Sequence, residues 1–311
     1  MIEAIMEKKS ILQNTFMLVA TALFCNLLWG TAIPAIKIGY QLFQIPSSDT
    51  ASQILFAGIR FTLAGLLTLF IGSLSAKKLL LPNKKNISKI FMVSLFQTVL
   101  QYFFFYGGLA HASGVKSSII ESSLVFFTII LSAIFLHNEK NTAKKLLCCL
   151  PGFLGVLLIN LNGQTLTLDF QWNGEGFILF STIAASMATV LIKKYSADES
   201  PVLICGWQFF FGGLLMAAVG YGMGGTLSPV NSTAYLLLFY LGFLSAAAYS
   251  LWGLLLKYHP VSKVSVFSFT NPIFGILSSA VFLHEDPTAL GWHLYAALLL
   301  VCVGIYLVNR D

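Results

Sequence analysis

The sequence predicts an all-α membrane protein with ten transmembrane helices in two inverted five-helix repeats. Three observations carry this expectation. Apolar stretches of about 19–25 residues succeed one another from Phe16 to Val308, each long enough to cross a bilayer as a helix. Only 10% of the 311 residues are charged, too few to give a soluble helical bundle its polar faces. The second half of the chain also repeats the pattern of the first.

The spans are taken in order. The first, 15–36, follows Lys8 and Lys9 as a signal peptide would, but its apolar run outlasts a signal core, which predicts a retained helix. The second, 52–74, is interrupted only by Arg60 and is followed by Lys77, Lys78, Lys84 and Lys85. The third, 89–110, carries Gln97, Gln101, Tyr102 and Tyr106, and the fourth, 115–136, carries Glu121. The fifth, 144–161, starts at Lys144 and Lys145. The sixth, 174–192, ends at Lys193 and Lys194, and the seventh, 202–223, holds Gln208. The eighth, 232–256, ends at Lys257, the ninth, 261–283, contains Pro272, and the tenth, 289–308, ends at Arg310. Helices satisfy their own backbone groups in lipid. A β-barrel would need short alternating segments instead of continuous runs. The partition is a cytoplasmic segment 1–14, a first repeat 15–161, an external connection 162–173 and a second repeat 174–311.

The net charge of +6 has a topological reading. With a cytoplasmic N-terminus, only Lys37 and Lys116 fall outside and only Arg60 within a span; every other Lys and Arg lies on the cytoplasmic side, as does the C-terminus. This predicts a multi-pass protein of the cell membrane in contact with anionic lipid, not a nucleic-acid binder. The five cysteines lie in or beside apolar spans without metal-ligand spacing and read as small apolar residues. The five histidines sit near span ends. No metal or cofactor is expected. The run Gly108–Ser117 resembles a phosphate loop only superficially, because its spacing is one residue too long and Val115 precedes Lys116.

The repeat is explicit at a shift of 147 residues between 113–137 and 260–284. Lys116 matches Lys263, Ser118 matches Ser265, and Phe135-Leu136-His137 matches Phe282-Leu283-His284, with Glu139 and Glu285 following. Asn160 and Asn309 close the next spans. Five spans per copy make the second copy enter the membrane upside down, the architecture of many secondary transporters.

Trp29-Gly30-Thr31-Ala32-Ile33-Pro34-Ala35-Ile36-Lys37, Arg60 with Ala64, the two Phe-Leu-His helix ends and Pro272 together resemble the EamA type of the drug/metabolite transporter superfamily. The resemblance covers essentially the whole chain. It implies alternating-access movement of a small metabolite or drug, commonly outward, driven by protons or by the solute gradient.

Ionisable groups inside spans are costly and mark pathways or coupling sites. Arg60 and Glu121 are the clear cases. At about 1.5 Å per residue, Arg60 lies roughly 12 Å and Glu121 roughly 9 Å below the outer surface. One reading is a divided substrate site, with Arg60 facing a carboxylate and Glu121 facing an amine or taking up a proton. The others are a closed Arg60–Glu121 ion pair, or a Glu121–Lys116 pair. The repeat aligns Gln208 with Arg60 and Ser268 with Glu121, so the charges occupy one half only. Ser117, Glu121 and Thr128 are predicted to form a polar face. Gln101, Gln208 and Asn271 are further substrate-contact candidates, and Trp29, Trp207, Tyr249 and Trp252 are candidate aromatic walls. Gly30, Pro34, Gly58, Gly65, Gly212, Gly213 and Pro272 are hinge or close-packing candidates.

These features predict a secondary active exporter of a small zwitterion such as an amino acid. The alternatives are a lipophilic-cation exporter and a membrane-embedded enzyme. No convergent acid/base or metal cluster supports the enzyme, and no catalytic residue is assigned. The partners expected are a small-molecule substrate and membrane lipids. Small residues on helix faces permit a homodimer without demanding one.

Overall fold

The computed structural model describes residues 13–109, 111–136, 141–161, 170–283 and 291–310. Every regular element among them is helical, and ten helices are long and apolar enough to span a bilayer. They are α1 (Thr15–Leu42), α2 (Thr50–Ala76), α3 (Ile87–Leu109), α4 (Gly114–Leu136), α5 (Thr142–Asn160), α6 (Trp172–Tyr195), α7 (Pro201–Gly222), α8 (Ser232–Tyr258), α9 (Val261–Leu283) and α10 (Trp292–Arg310). The predicted count is right, though α1 runs six residues beyond the predicted end, through Pro34. Phe70, Leu74, Leu236 and Leu299 are among the large apolar side chains left exposed, as expected of a surface solvated by lipid. Lys8, Lys9, His137, Glu139, His284 and Glu285 lie outside the described residues.

Helix pairing follows the repeat. Equivalent helices α2 and α7 pack together, as do α5 and α10. The contacts of α1 with α8 and α9 are matched by those of α6 with α3 and α4. Glycine makes the α2–α7 contact possible. Gly58, Gly65 and Gly72 recur every seven residues on α2, and Gly206, Gly213 and Gly220 do so on α7. A Cβ on Gly65 would meet Phe210 N at 2.5 Å and the Gly206 carbonyl at 2.7 Å. Gly72 faces Val202, and Gly220 faces Leu55, so contact positions rise on one helix as they fall on the other. The two equivalent helices therefore run antiparallel. Gly155 against Ala297 and Gly304 against Gly152 give the same sense to α5 and α10.

Three helices are interrupted within their spans. α3 widens into a π-helical turn over Leu95–Leu100. α4 breaks at Ser123, between Gly114–Ser122 and Leu124–Leu136, and α9 tightens into a 3₁₀ segment over Val266–Thr270 before resuming at Asn271. The halves of α4 begin at 114 and 124, and those of α9 at 261 and 271, both displaced by the repeat shift of 147. The local causes differ. In α9, Pro272 has no N–H to continue the ladder, and the Asn271 N–H turns to the Ser268 carbonyl. In α4, the position of Pro272 is held by Val125. Here the Ser122 hydroxyl donates to the Ser118 carbonyl at 2.8 Å and Ser123 to that of Ile120 at 2.5 Å, competing with the helix. Irregular backbone at this depth is tolerated where protein or a cavity surrounds it.

Basic residues on the predicted cytoplasmic side also bind helix ends. Lys193 Nζ donates to the His259 carbonyl at 2.8 Å and Lys263 Nζ to that of Asn309 at 2.9 Å. Cations there complement the negative end of the helix dipole.

Candidate functional site

Arg60 stands in the middle of α2, 3% exposed. Its Nε and Nη2 both donate to the Ser245 hydroxyl on α8, at 3.2 and 3.0 Å. Ser245 gives its own proton to the Leu241 carbonyl at 3.0 Å, so its oxygen is free to accept. The guanidinium carbon lies 4.7 Å from the centre of the Phe61 ring. No carboxylate lies within ion-pair distance of Arg60 among the described residues. Its surroundings are phenolic: Tyr40, Tyr102, Tyr106 and Tyr249 all lie within electrostatic reach.

Two of these tyrosines contact each other. The Tyr102 and Tyr249 hydroxyls are hydrogen-bonded at 2.8 Å. The two residues are 147 positions apart, the repeat shift, so equivalent side chains of the two halves meet here. Tyr40 Oη lies near Tyr106 without the geometry of a hydrogen bond. Phe61 stacks on Phe209 at 5.2 Å, Phe209 packs edge-on to Tyr249 at 4.9 Å, and Trp29 packs edge-on to both Tyr249 and Trp252 at 5.1 Å.

Glu121 occupies the last turn before the break in α4. Its side chain is accessible, yet it lies within electrostatic reach of Tyr249. The closed Arg60–Glu121 pair is absent. Lys116 pairs instead with Glu175 on α6 at 3.1 Å, a carboxylate that also accepts from Gln171 N at 2.9 Å. Arg60 and Glu121 thus form no ion pair with each other.

The remaining sequence candidates divide. Trp29, Tyr249 and Trp252 join one aromatic cluster, which reaches Phe61 beside Arg60 through Phe209. Trp207 does not: its Nε1 donates to the Leu80 carbonyl at 2.7 Å and its ring packs on Phe210 and Phe211. Gln208, fully buried, accepts from Thr98 at 2.6 Å and binds α7 to the π turn of α3, while its Nε2 has no partner. Gln101 contributes its carbonyl to Ser181 at 2.7 Å. Asn271 opens the second half of α9 with a buried, unpartnered Oδ1. The polar face expected from Ser117, Glu121 and Thr128 is split by the helix break, and Ser117 and Thr128 are buried. Tyr40 and Ser245 escaped sequence reading. Tyr102 was visible only as one polar residue of the third span, although its separation from Tyr249 equals the repeat shift.

The sequence profile of the EamA-like transporter family matches residues 16–161 and 172–310. The chain belongs to this family. An uncharacterized transporter of Archaeoglobus fulgidus is 27% identical, over 91% of this chain and 95% of that protein. A probable amino-acid metabolite efflux pump of Salmonella typhimurium is 26% identical, over 92% of each, as is its namesake in Escherichia coli. A protein crystal structure superposes with a TM-score of 0.75, covering 94% of this chain and 98% of that one at 17% identity, which shows a shared fold. This EamA-like chain is therefore a multi-pass membrane transporter and not an enzyme.

Proposed function

We propose that this protein exports a small zwitterionic metabolite of the amino-acid class by alternating access. The observation that carries the reading is Arg60, a buried cation whose hydrogen-bond partner is the neutral hydroxyl of Ser245, with no carboxylate within ion-pair distance among the described residues. A carboxylate on Arg60 supplies the missing counter-charge and a bidentate fit. An ammonium group meets Glu121, which also serves as the proton-coupling residue. Trp29 and Tyr249 pack the body of the substrate. Two relatives bearing the name of amino-acid metabolite efflux pumps support the substrate class. The antiparallel packing of equivalent helices and the matched breaks in α4 and α9 support an inverted repeat, whose halves exchange conformations to open either side. The cell membrane, with both termini cytoplasmic, is the location the distribution of basic residues favours.

The test is amino-acid flux in proteoliposomes. Arg60→Ala and Glu121→Gln are each expected to lose flux while remaining folded. Normal amino-acid transport by either variant would overturn the assignment. A second reading, export of a lipophilic cation, draws on Glu121 beside Trp29 and Tyr249. It predicts that a cationic dye competes with substrate and that Arg60→Ala leaves dye transport intact.

A further inference from the structure

We propose that, between substrates, Arg60 holds a small monovalent inorganic anion of the halide class, which the substrate carboxylate displaces. The inference rests on the reading that Arg60 receives that carboxylate, and it adds a second ligand at the same place.

A guanidinium cannot discharge itself by losing a proton, because its pKa stays above the range proteins reach. Burying it without a counter-charge is among the costliest arrangements a folded chain can hold. Arg60 is 3% exposed, and two of its nitrogens share one neutral hydroxyl. Among the described residues its Nη1 has no protein acceptor, and no carboxylate lies within 4 Å. Glu121 does not fill the role, since it makes no ion pair with Arg60. A substrate carboxylate fills it only while substrate is bound. A transporter must also pass through forms without substrate, and these need another anion.

The lining selects the kind of anion. The groups near the guanidinium are phenols: the Tyr40 hydroxyl is buried without a partner among the described residues, and the hydrogen bond between Tyr102 and Tyr249 uses one of their two protons and leaves the other to donate to an anion. One Arg balances one negative charge, so phosphate or sulfate would leave charge in excess. A spherical monovalent ion accepts from several directions at once and matches donors that were not built around a single planar group. Chloride is the abundant ion of this description. Occupancy by chloride makes substrate binding an exchange of anions, with little net change of charge at Arg60. Chloride then competes with substrate, and its concentration on each side of the membrane tunes apparent substrate affinity.

The experiment is equilibrium binding of chloride-36 to the purified full-length protein, with methanesulfonate holding ionic strength constant. Saturable binding approaching one ion per chain is expected, weakened by about tenfold or more in Arg60→Gln and largely kept in Arg60→Lys. No saturable binding by the wild type, or binding unchanged in Arg60→Gln, overturns the proposal. Bromide-soaked crystals of the wild type avoid any doubt over variant folding: an anomalous peak against the guanidinium supports the site, and its absence there overturns it. An amino-acid panel separates this proposal from the substrate reading. Chloride bound at Arg60 that no amino acid displaces leaves the anion site standing and sinks the zwitterion. Amino acids that bind through Arg60 without competition from chloride do the reverse.

Discussion

At the residue scale, the site depends on how one arginine is held. Ser245 accepts two of its donors and fixes the guanidinium between α2 and α8. Ser245→Ala leaves those donors buried without an acceptor, a loss of about 1.5–3 kcal/mol for a bond to a charged group. Scanning fluorimetry should show a lower melting temperature for this variant, and flux assays should show weaker substrate affinity. An unchanged Tm would mean that Arg60 is not anchored through Ser245. Outside the membrane, Asp49 caps α2 by accepting from Ser52 N at 3.0 Å, and the Ser52 hydrogen bonds hold its carboxyl below the usual range. A carboxyl whose folded pKa is depressed stabilises the protein above its unfolded pKa and loses that contribution as pH falls through the folded value. Melting curves of wild type and Asp49→Asn should therefore differ at neutral pH and converge in acid.

At the element scale, the closeness of α2 and α7 determines where Arg60 sits. Gly65→Val would force its side chain against the backbone of Gly206 and Phe210, which cannot yield as a flexible side chain would. Overpacking of this kind costs about 1–3 kcal/mol or more. The variant should show reduced folded yield on size-exclusion chromatography, whereas Gly114→Ala, where an added Cβ meets nothing within 4 Å, should behave as wild type. Equal yields would show that the helices can separate without penalty. The breaks in α4 and α9 teach a related lesson. Pro272 marked one of them in the sequence, but the α4 break arises from serine hydroxyls, and serine in an apolar run is ordinarily compatible with a continuous helix. Only the position of the break on the repeat shows that both halves bend at the same place.

At the scale of the whole molecule, the two halves share packing but not charge. Arg60 and Glu121 lie in the first half, and their equivalents are Gln208, which braces α3 against α7, and Ser268. On the proposed reading, Glu121 takes up a single coupling proton. In proteoliposomes, an imposed pH gradient should accelerate export by the wild type and have no effect on residual exchange by Glu121→Gln. A gradient response preserved in that variant would move coupling to another group.

How much could be read in advance follows the range of the forces involved. Span number, the helical class and the interrupted apolar pattern are legible because each helix satisfies its own backbone and meets lipid independently. Arg60, Glu121, Trp29 and Tyr249 stood out because polar or amphipathic groups in hydrocarbon need a reason to be there. What the sequence left open was pairing. Trp207 and Gln208 looked equally suited to a cavity, but each found its hydrogen-bond partner on a neighbouring helix. Lys116 found Glu175 on a helix of the other repeat.

The sequence by itself determined that this chain crosses the membrane ten times and that its second half echoes the pattern of the first, since length, hydropathy and the 147-residue shift are local or periodic properties; its motifs added the resemblance to EamA-type transporters. Tertiary structure decided that Arg60 has no acidic partner among the described residues, that Tyr102 meets Tyr249 where equivalent positions converge, and that Glu121 pairs with neither the arginine nor Lys116. Those facts depend on side chains brought together from helices far apart in the chain, and in lipid their meeting is set by close packing at glycines and by hydrogen bonds between helices, which no single span encodes.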